Sequence, residues 1–143
     1  MILPNAYKDT LRKYIGIPFK DNGRDFNGCD CYGVVFLFYR DILGINLPDL
    51  TNDYNNSSDY ATIARLMARY HENWTPSGGQ WGDVLVFRGV TPSRNRLHLG
   101  IYLESGKMLH TLSGADSCIE SYTSSLWRNR FQGAFHYANR SLS

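Results

Sequence analysis

Apolar residues change their spacing part-way along this chain. In the first half they recur at helical intervals. Tyr7, Leu11, Tyr14 and Ile15 fall on one face of a helix that Asn5 can cap, and Gly16 with Pro18 ends it. Phe19 to Gly28 is polar and glycine-containing, so it reads as a loop. A dense apolar run, Val34 to Tyr39, follows Asp30, a good N-cap residue. A buried helix is therefore predicted from there to about Leu43, with Gly44 at its C-terminal cap. Leu47-Pro48-Asp49 opens a second polar stretch, and a third helix is predicted from Ser58 or Asp59 with Tyr60, Ile63, Met67 and Tyr70 on one face.

From Gly82 onward the period shortens to two. Asp83 to Phe87 reads as a short buried strand and Gly89 to Arg96, with Pro92, as a loop. Leu97 to Leu103 alternates strictly, and Lys107 to Thr111 pairs with it as a hairpin. Cys118 to Ser121 and Gln132 to Tyr137 are two further strand candidates. Helices first and strands second predict an α+β fold, with the N-terminal helices packed on an antiparallel sheet. The 143 residues carry no internal repeat or linker and are read as one domain, 1–143.

The hairpin raises a question of parity. In Leu97-His98-Leu99-Gly100-Ile101-Tyr102-Leu103, the leucines and Ile101 share one face; His98, Gly100 and Tyr102 share the other. A one-residue change in the connecting loop flips every side chain of the next strand. A two-residue loop, Ser105-Gly106, would put His110 on the leucine face. A three-residue loop, Glu104-Ser105-Gly106, would put it on the His98 face, opposite Gly100. Gly106 suits the left-handed position that such loops need. His98 and His110 would then be diagonal neighbours, roughly 6–8 Å apart at the backbone.

Composition narrows the classes. A net charge of +2, with no basic helix or low-complexity tail, argues against nucleic acid as a partner. The densest positive region, Arg88, Arg94 and Arg96, reads as a solvated loop rather than an anion site. No run is long enough to span a bilayer, so no membrane insertion is expected. The N-terminus lacks a basic stretch followed by an apolar one, which predicts cytoplasmic synthesis without a signal peptide. Three cysteines, Cys29, Cys31 and Cys118, are an odd count and not a disulfide framework.

Cys31 carries the candidate chemistry. It lies in Gly28-Cys29-Asp30-Cys31-Tyr32-Gly33, in the first turn of the buried helix. Amide N–H groups and the helix dipole there favour thiolate over thiol. His98 is the candidate base facing the sulfur, and His110 would hydrogen-bond its far nitrogen and fix its orientation. The backbone N–H of Cys31 can help hold an oxyanion. Cys29 reads as packing; His71 and His136 read as structural. A zinc site from Cys29, Cys31, His98 and His110 is the alternative, but the usual two-residue spacer between cysteines is missing. No metal or cofactor is expected.

The order of these features resembles the NlpC family of papain-like cell-wall cysteine peptidases. The matching segments are Gly16-Ile17-Pro18-Phe19, Asp30-Cys31-Tyr32-Gly33-Val34-Val35, Gly44-Ile45-Asn46-Leu47-Pro48, Gly82-Asp83-Val84-Leu85-Val86-Phe87 and His98-Leu99-Gly100-Ile101-Tyr102. Met108-Leu109-His110 and Trp127-Arg128-Asn129-Arg130-Phe131 follow. The resemblance implies a papain-like fold and a peptidase that cuts peptidoglycan stem peptides, usually between the γ-carboxyl of D-glutamate and a diamino acid. It assigns Cys31 as nucleophile, His98 as base and His110 as third polar residue. Asp30, Phe19 and Tyr32 are carried over as the residues around the substrate.

The length looks most like the short phage-encoded members, which implies tail-tip proteins as partners and action in the periplasm or cell wall. There are departures. Phe19 stands where many members carry a Tyr whose hydroxyl lies near the nucleophile, so Tyr32 is the nearby residue that could compensate. Tyr32 itself stands where members acting on free stem peptides often have Ser, and the Gly-rich pair before the motif is reduced to Asn22-Gly23. Amide cleavage at the glycan, acyl transfer, or an inactive tail-tip component are the other readings of the same centre.

Overall fold

A computed structural model describes residues 8–52, 73–88 and 97–137. The Asn5 cap, the third helix, His71, Arg94, Arg96 and the loop at 89–96 lie outside the described residues. Helix α1, Lys8–Leu11, tightens into a 3-10 turn at Arg12–Tyr14. Leu11 and Tyr14 are buried as expected, but Ile15 is 50% exposed. The helix has ended one residue earlier, and Ile15 has extended backbone angles that carry it off the apolar face.

The segment Phe19–Gly28, expected to be a loop, contains a small hairpin. Strands β1, Arg24–Asp25, and β2, Gly28–Cys29, pair with Arg24 opposite Cys29. Helix α2, Cys31–Phe38, follows directly, and a π-helical turn at Tyr39–Leu43 extends it to Gly44, which adopts φ 71°. Apart from Phe36 every residue of α2 is buried. A helix that is apolar all round has to be an interior helix.

The remaining strands are β3 (Trp74–Ser77), β4 (Val84–Arg88), β5 (Leu97–Tyr102), β6 (Lys107–His110), β7 (Cys118–Ser121) and β8 (Phe131–Tyr137); a single helical turn, α3 (Ser125–Arg128), precedes β8. They form a six-stranded sheet in the order β3-β8-β4-β5-β6-β7, and every pairing is antiparallel. The sequence did not signal β3, because it contains Pro76. A proline is tolerated there because β3 is an edge strand.

Two apolar clusters lie against this sheet. One joins Val84, Leu99, Ile101 and Leu109 to α2. The other holds Leu85, Phe87, Met108, Trp127 and Ala134. Strand alternation separates them, since neighbours such as Val84 and Leu85 face opposite ways. The architecture is α+β, with α2 packed on β5 and β6. No helix among the described residues is long and apolar enough to cross a membrane.

Candidate active site

Asp30 builds the start of α2. Its Oδ1 accepts a hydrogen bond from the Gly33 N–H at 2.8 Å, the N-cap arrangement that satisfies a free amide of the first turn. The same oxygen takes the Arg24 guanidinium at 3.1 Å, and Oδ2 accepts the Asn22 N–H at 2.9 Å. The carboxylate is fully buried, with both oxygens committed inside the protein. Asp30, carried over above as a residue around the substrate, ties the helix start to the β1–β2 hairpin through these contacts. Gly33 is needed for the same approach, because a Cβ there would collide with the carbonyl oxygen of Gly23.

Cys31 is the opening residue of α2 and is 1% exposed, in the cluster that includes Leu99, Ile101 and Leu109. Cys29, two residues earlier, is also buried, and its thiol is pushed up to about 12 by desolvation and by the Asp30 charge. Cys29 therefore stays protonated and packs.

The β5–β6 loop has three residues. Leu103 N–H donates to Lys107 O at 3.0 Å and closes Glu104-Ser105-Gly106, with Ser105 at φ 52° and Gly106 at φ 74°. Ile101 pairs with Leu109 and Tyr102 with Met108, so the register puts Gly100 opposite His110. His98 and His110 thus share a face, and His98 Nε2 lies 2.7 Å from His110 Nδ1. Both rings are buried. Trp127 stacks on His98 with centroids 4.7 Å apart, and Phe87 lies 6.1 Å away.

Burial pushes the His98 pKa well below the ordinary imidazole value, and the neighbouring His110 adds to that shift. Burial lowers His110 as well, while Glu120 pulls the other way.

Glu120 is the residue that sequence reasoning missed. Its Oε1 lies 2.6 Å from His110 Nε2 and accepts the Trp127 Nε1–H at 2.7 Å. It sits on β7, two residues beyond Cys118, which is paired with His110. The clue was the alternation of Cys118 and Glu120 on one face of β7, useful only once the β6–β7 register is known. Cys118 Sγ is 3.7 Å from His110 Nε2. Among the described residues, the metal-ligating atoms that converge are those of His110, Cys118 and Glu120, within 4.8 Å of one another. Cys29 and Cys31 do not join the two histidines in such a group.

Phe19 and Tyr32 flank the Cys29–Cys31 segment. Phe19 is bridged to Cys29, with Lys20 N–H donating to Cys29 O at 3.1 Å and Cys29 N–H to Pro18 O at 3.0 Å. The Tyr32 hydroxyl donates to Pro48 O at 2.6 Å, and Arg24 lies over its ring at 5.2 Å. That hydroxyl's one donor hydrogen is thus directed at Pro48 O. Tyr32 also lines an open hollow with Val35, Leu47, Pro48, Trp74 and Tyr137. His136, expected to be structural, donates from Nδ1 to Asp83 Oδ1, 2.7 Å away. Arg88 remains exposed and donates to Asn129 O at 2.7 Å.

A family model described as the NlpC/P60 family matches residues 16–136. The chain is 28% identical over 129 residues to murein DD-endopeptidase MepH of Escherichia coli (strain K12), covering 88% of this chain and 43% of that protein. It is 25% identical over 133 residues to murein DD-endopeptidase MepS/murein LD-carboxypeptidase of the same strain, covering 93% and 62%. It is also 25% identical over 131 residues to the gamma-DL-glutamyl hydrolase of Bacillus subtilis (strain 168), covering 91% and 28%. The chain therefore spans only part of these curated relatives. Among solved structures, an NlpC/P60 family protein from Bacillus cereus ATCC 10987 superposes with a TM-score of 0.67 at 21% identity, covering 95% of this chain and 41% of that one.

Proposed function

The chain belongs to the NlpC/P60 family, and on that footing we propose that it is a cysteine peptidase that hydrolyses the peptide stems of peptidoglycan. The observation that carries the reading is the 2.7 Å contact between His98 Nε2 and His110 Nδ1, on a strand packed under the helix that Cys31 opens. It supports the nucleophile–base–orienter arrangement of a thiol hydrolase.

In the proposed mechanism His98 acts through Nδ1, because its Nε2 is committed to His110. Neutral His98 takes the Cys31 thiol proton, and the sulfur attacks the stem carbonyl. The Cys31 backbone N–H helps hold the tetrahedral oxyanion. His98 then returns the proton to the departing amine, leaving a thioester on Cys31. Water, with His98 again as base, attacks that thioester and releases the carboxylate product and the free thiol.

The bond proposed is that between D-glutamate, through its γ-carboxyl, and the diamino acid. The B. subtilis relative, a gamma-DL-glutamyl hydrolase by name, supports a glutamyl bond. The names of the two E. coli relatives favour a second reading, cleavage of a D,D cross-link. Muropeptides incubated with the wild type and with Cys31→Ala, followed by mass spectrometry, separate these readings by product mass. They also separate glycan–stem amide cleavage and acyl transfer. Equal turnover by both proteins overturns the peptidase reading. His98→Ala is expected to be nearly as damaging as Cys31→Ala, because members of such a unit are strongly non-additive.

The proposal extends to action at the cell wall from a phage tail tip. Its support is the aromatic residue after Cys31, Tyr32, which resembles the phage-type members, and the expected observation is the protein's presence in purified virions.

A further inference from the structure

We propose that Glu120 is a positioning residue for this centre: its carboxylate, acting through His110, selects the ring tautomer of His98 in which Nδ1 carries the lone pair. The proposal rests on the cysteine-peptidase reading for its catalytic meaning, but its structural content stands on three contacts.

The first contact is His110 Nε2 to Glu120 Oε1, 2.6 Å. An ionised carboxylate only accepts hydrogen bonds, so the proton of this pair lies on His110 Nε2. A neutral imidazole protonated at Nε2 has its lone pair at Nδ1. The second contact joins that Nδ1 to His98 Nε2 at 2.7 Å. Two lone pairs cannot face each other at that distance, so His98 Nε2 must carry a proton and donate it. Neutral His98 then presents a bare Nδ1, the form that can accept a thiol proton. Glu120 therefore writes the proton position into both rings in series.

Without the carboxylate the pair has two nearly equivalent arrangements. In one, His98 Nε2–H donates to His110 Nδ1. In the other, His110 Nδ1–H donates to His98 Nε2, and the His98 proton sits on Nδ1, where it blocks the base. A triad ending at His110 leaves this choice open; the carboxylate behind it closes the choice. Which nitrogen of a histidine carries the proton is commonly decided by the partner on the other nitrogen.

The third contact holds Glu120 itself. Trp127 Nε1–H donates to the same Oε1 at 2.7 Å, and the Trp127 ring lies stacked on His98. One indole thus supports the carboxylate with its edge and the base with its face. The titratable groups around His110 are His98 from β5 and Cys118 and Glu120 from β7. Cys118 does not compete for the proton position. Its sulfur stands 3.7 Å from Nε2, and burial together with Glu120 raises its pKa and keeps it a thiol. At 2.6 Å, the His110–Glu120 contact is a short hydrogen bond donated by His110 Nε2–H to the carboxylate.

The experiment combines a substrate-free readout with kinetics on the full chain. In a Cys31→Ala background with 15N-labelled histidine, NMR is expected to show His98 protonated at Nε2 and bare at Nδ1. Adding Glu120→Ala is expected to give a mixture of both tautomers. On muropeptides, Glu120→Ala alone is expected to lower kcat by about tenfold to a hundredfold, the usual cost of losing a partner that orients a functional histidine, with KM within about twofold. Glu120→Gln keeps an acceptor oxygen that Trp127 can orient, and is expected to recover most of the lost kcat. Unchanged His98 tautomers in Glu120→Ala overturn the proposal, as does a wild-type kcat in that variant. The expected tautomer shift without any muropeptide cleavage by the wild type supports the role of Glu120 and counts instead against the peptidase reading.

Discussion

A base has to be neutral before it can take a proton, and burial favours the neutral form of His98, the proposed base. Its pKa lies well below the ordinary 6.5, so the acid limb of kcat/KM is expected to have its midpoint below that value. Activity rises as pH rises through the depressed pKa, because protonated His98 cannot accept. The same shift has a consequence for stability. Unfolded His98 binds a proton near 6.5 and the folded form resists it, so stability is full above about 6.5 and is lost as pH falls below. Thermal melts across this range are expected to show a flat Tm above that pH and a falling one beneath it. At the same scale, Cys29 and Cys31 are two residues apart and both buried. Desolvation and the Asp30 charge raise the Cys29 thiol and keep it protonated.

Elements, rather than single residues, set the distances between these groups. The start of α2 depends on Asp30, which caps the helix while neutralising Arg24 inside the protein. Asp30→Ala removes a cap worth about 1 kcal/mol and the buried carboxylate partner of Arg24, which keeps its hydrogen bonds to Asp49 O and Gly23 O, and is expected to cost about 3 kcal/mol in chemical denaturation. The hairpin depends on loop length. Deleting Ser105 shortens Glu104-Ser105-Gly106 to two residues and turns His110 to the leucine face. That variant is expected to keep a folded circular dichroism spectrum while losing the His98–His110 contact and muropeptide turnover. A retained wild-type rate would mean that His110 has no orienting role. Gly106, at φ 74°, supplies the left-handed backbone that the three-residue loop requires.

At the scale of the whole molecule, the sheet separates two apolar clusters, and the second is built around Trp127. Trp127 is fully buried, lies 5.2 Å from the Phe87 ring, and supports both His98 and Glu120. Trp127→Ala is expected to cost about 3–5 kcal/mol of stability, read as a lowered denaturation midpoint. Much of this architecture was legible in the chain because its causes are local. The Asp30 cap, the apolar run of α2, the Gly44 stop and the alternation of β5 all act within a few residues of one another. Loop parity is equally local, and it limits His110 to the His98 face or the leucine face before any packing is known; the three-residue loop found in the structure selects the His98 face. Other features were not legible. Strands β1 and β2 are two residues each and too short to show alternation. Pro76 disguised β3, because edge position is a property of the sheet and not of the strand. By itself, then, the sequence determined the helix that Cys31 opens, the strand that carries His98, and the two faces His110 could take; the register chose between them. Only the tertiary structure decided that Asp30 is sealed by Arg24 and Asn22, that the Tyr32 hydroxyl is spent on Pro48, and that Glu120 stands behind His110. These are contacts across strand registers and between loops, and no spacing within one segment specifies which partner another segment will bring.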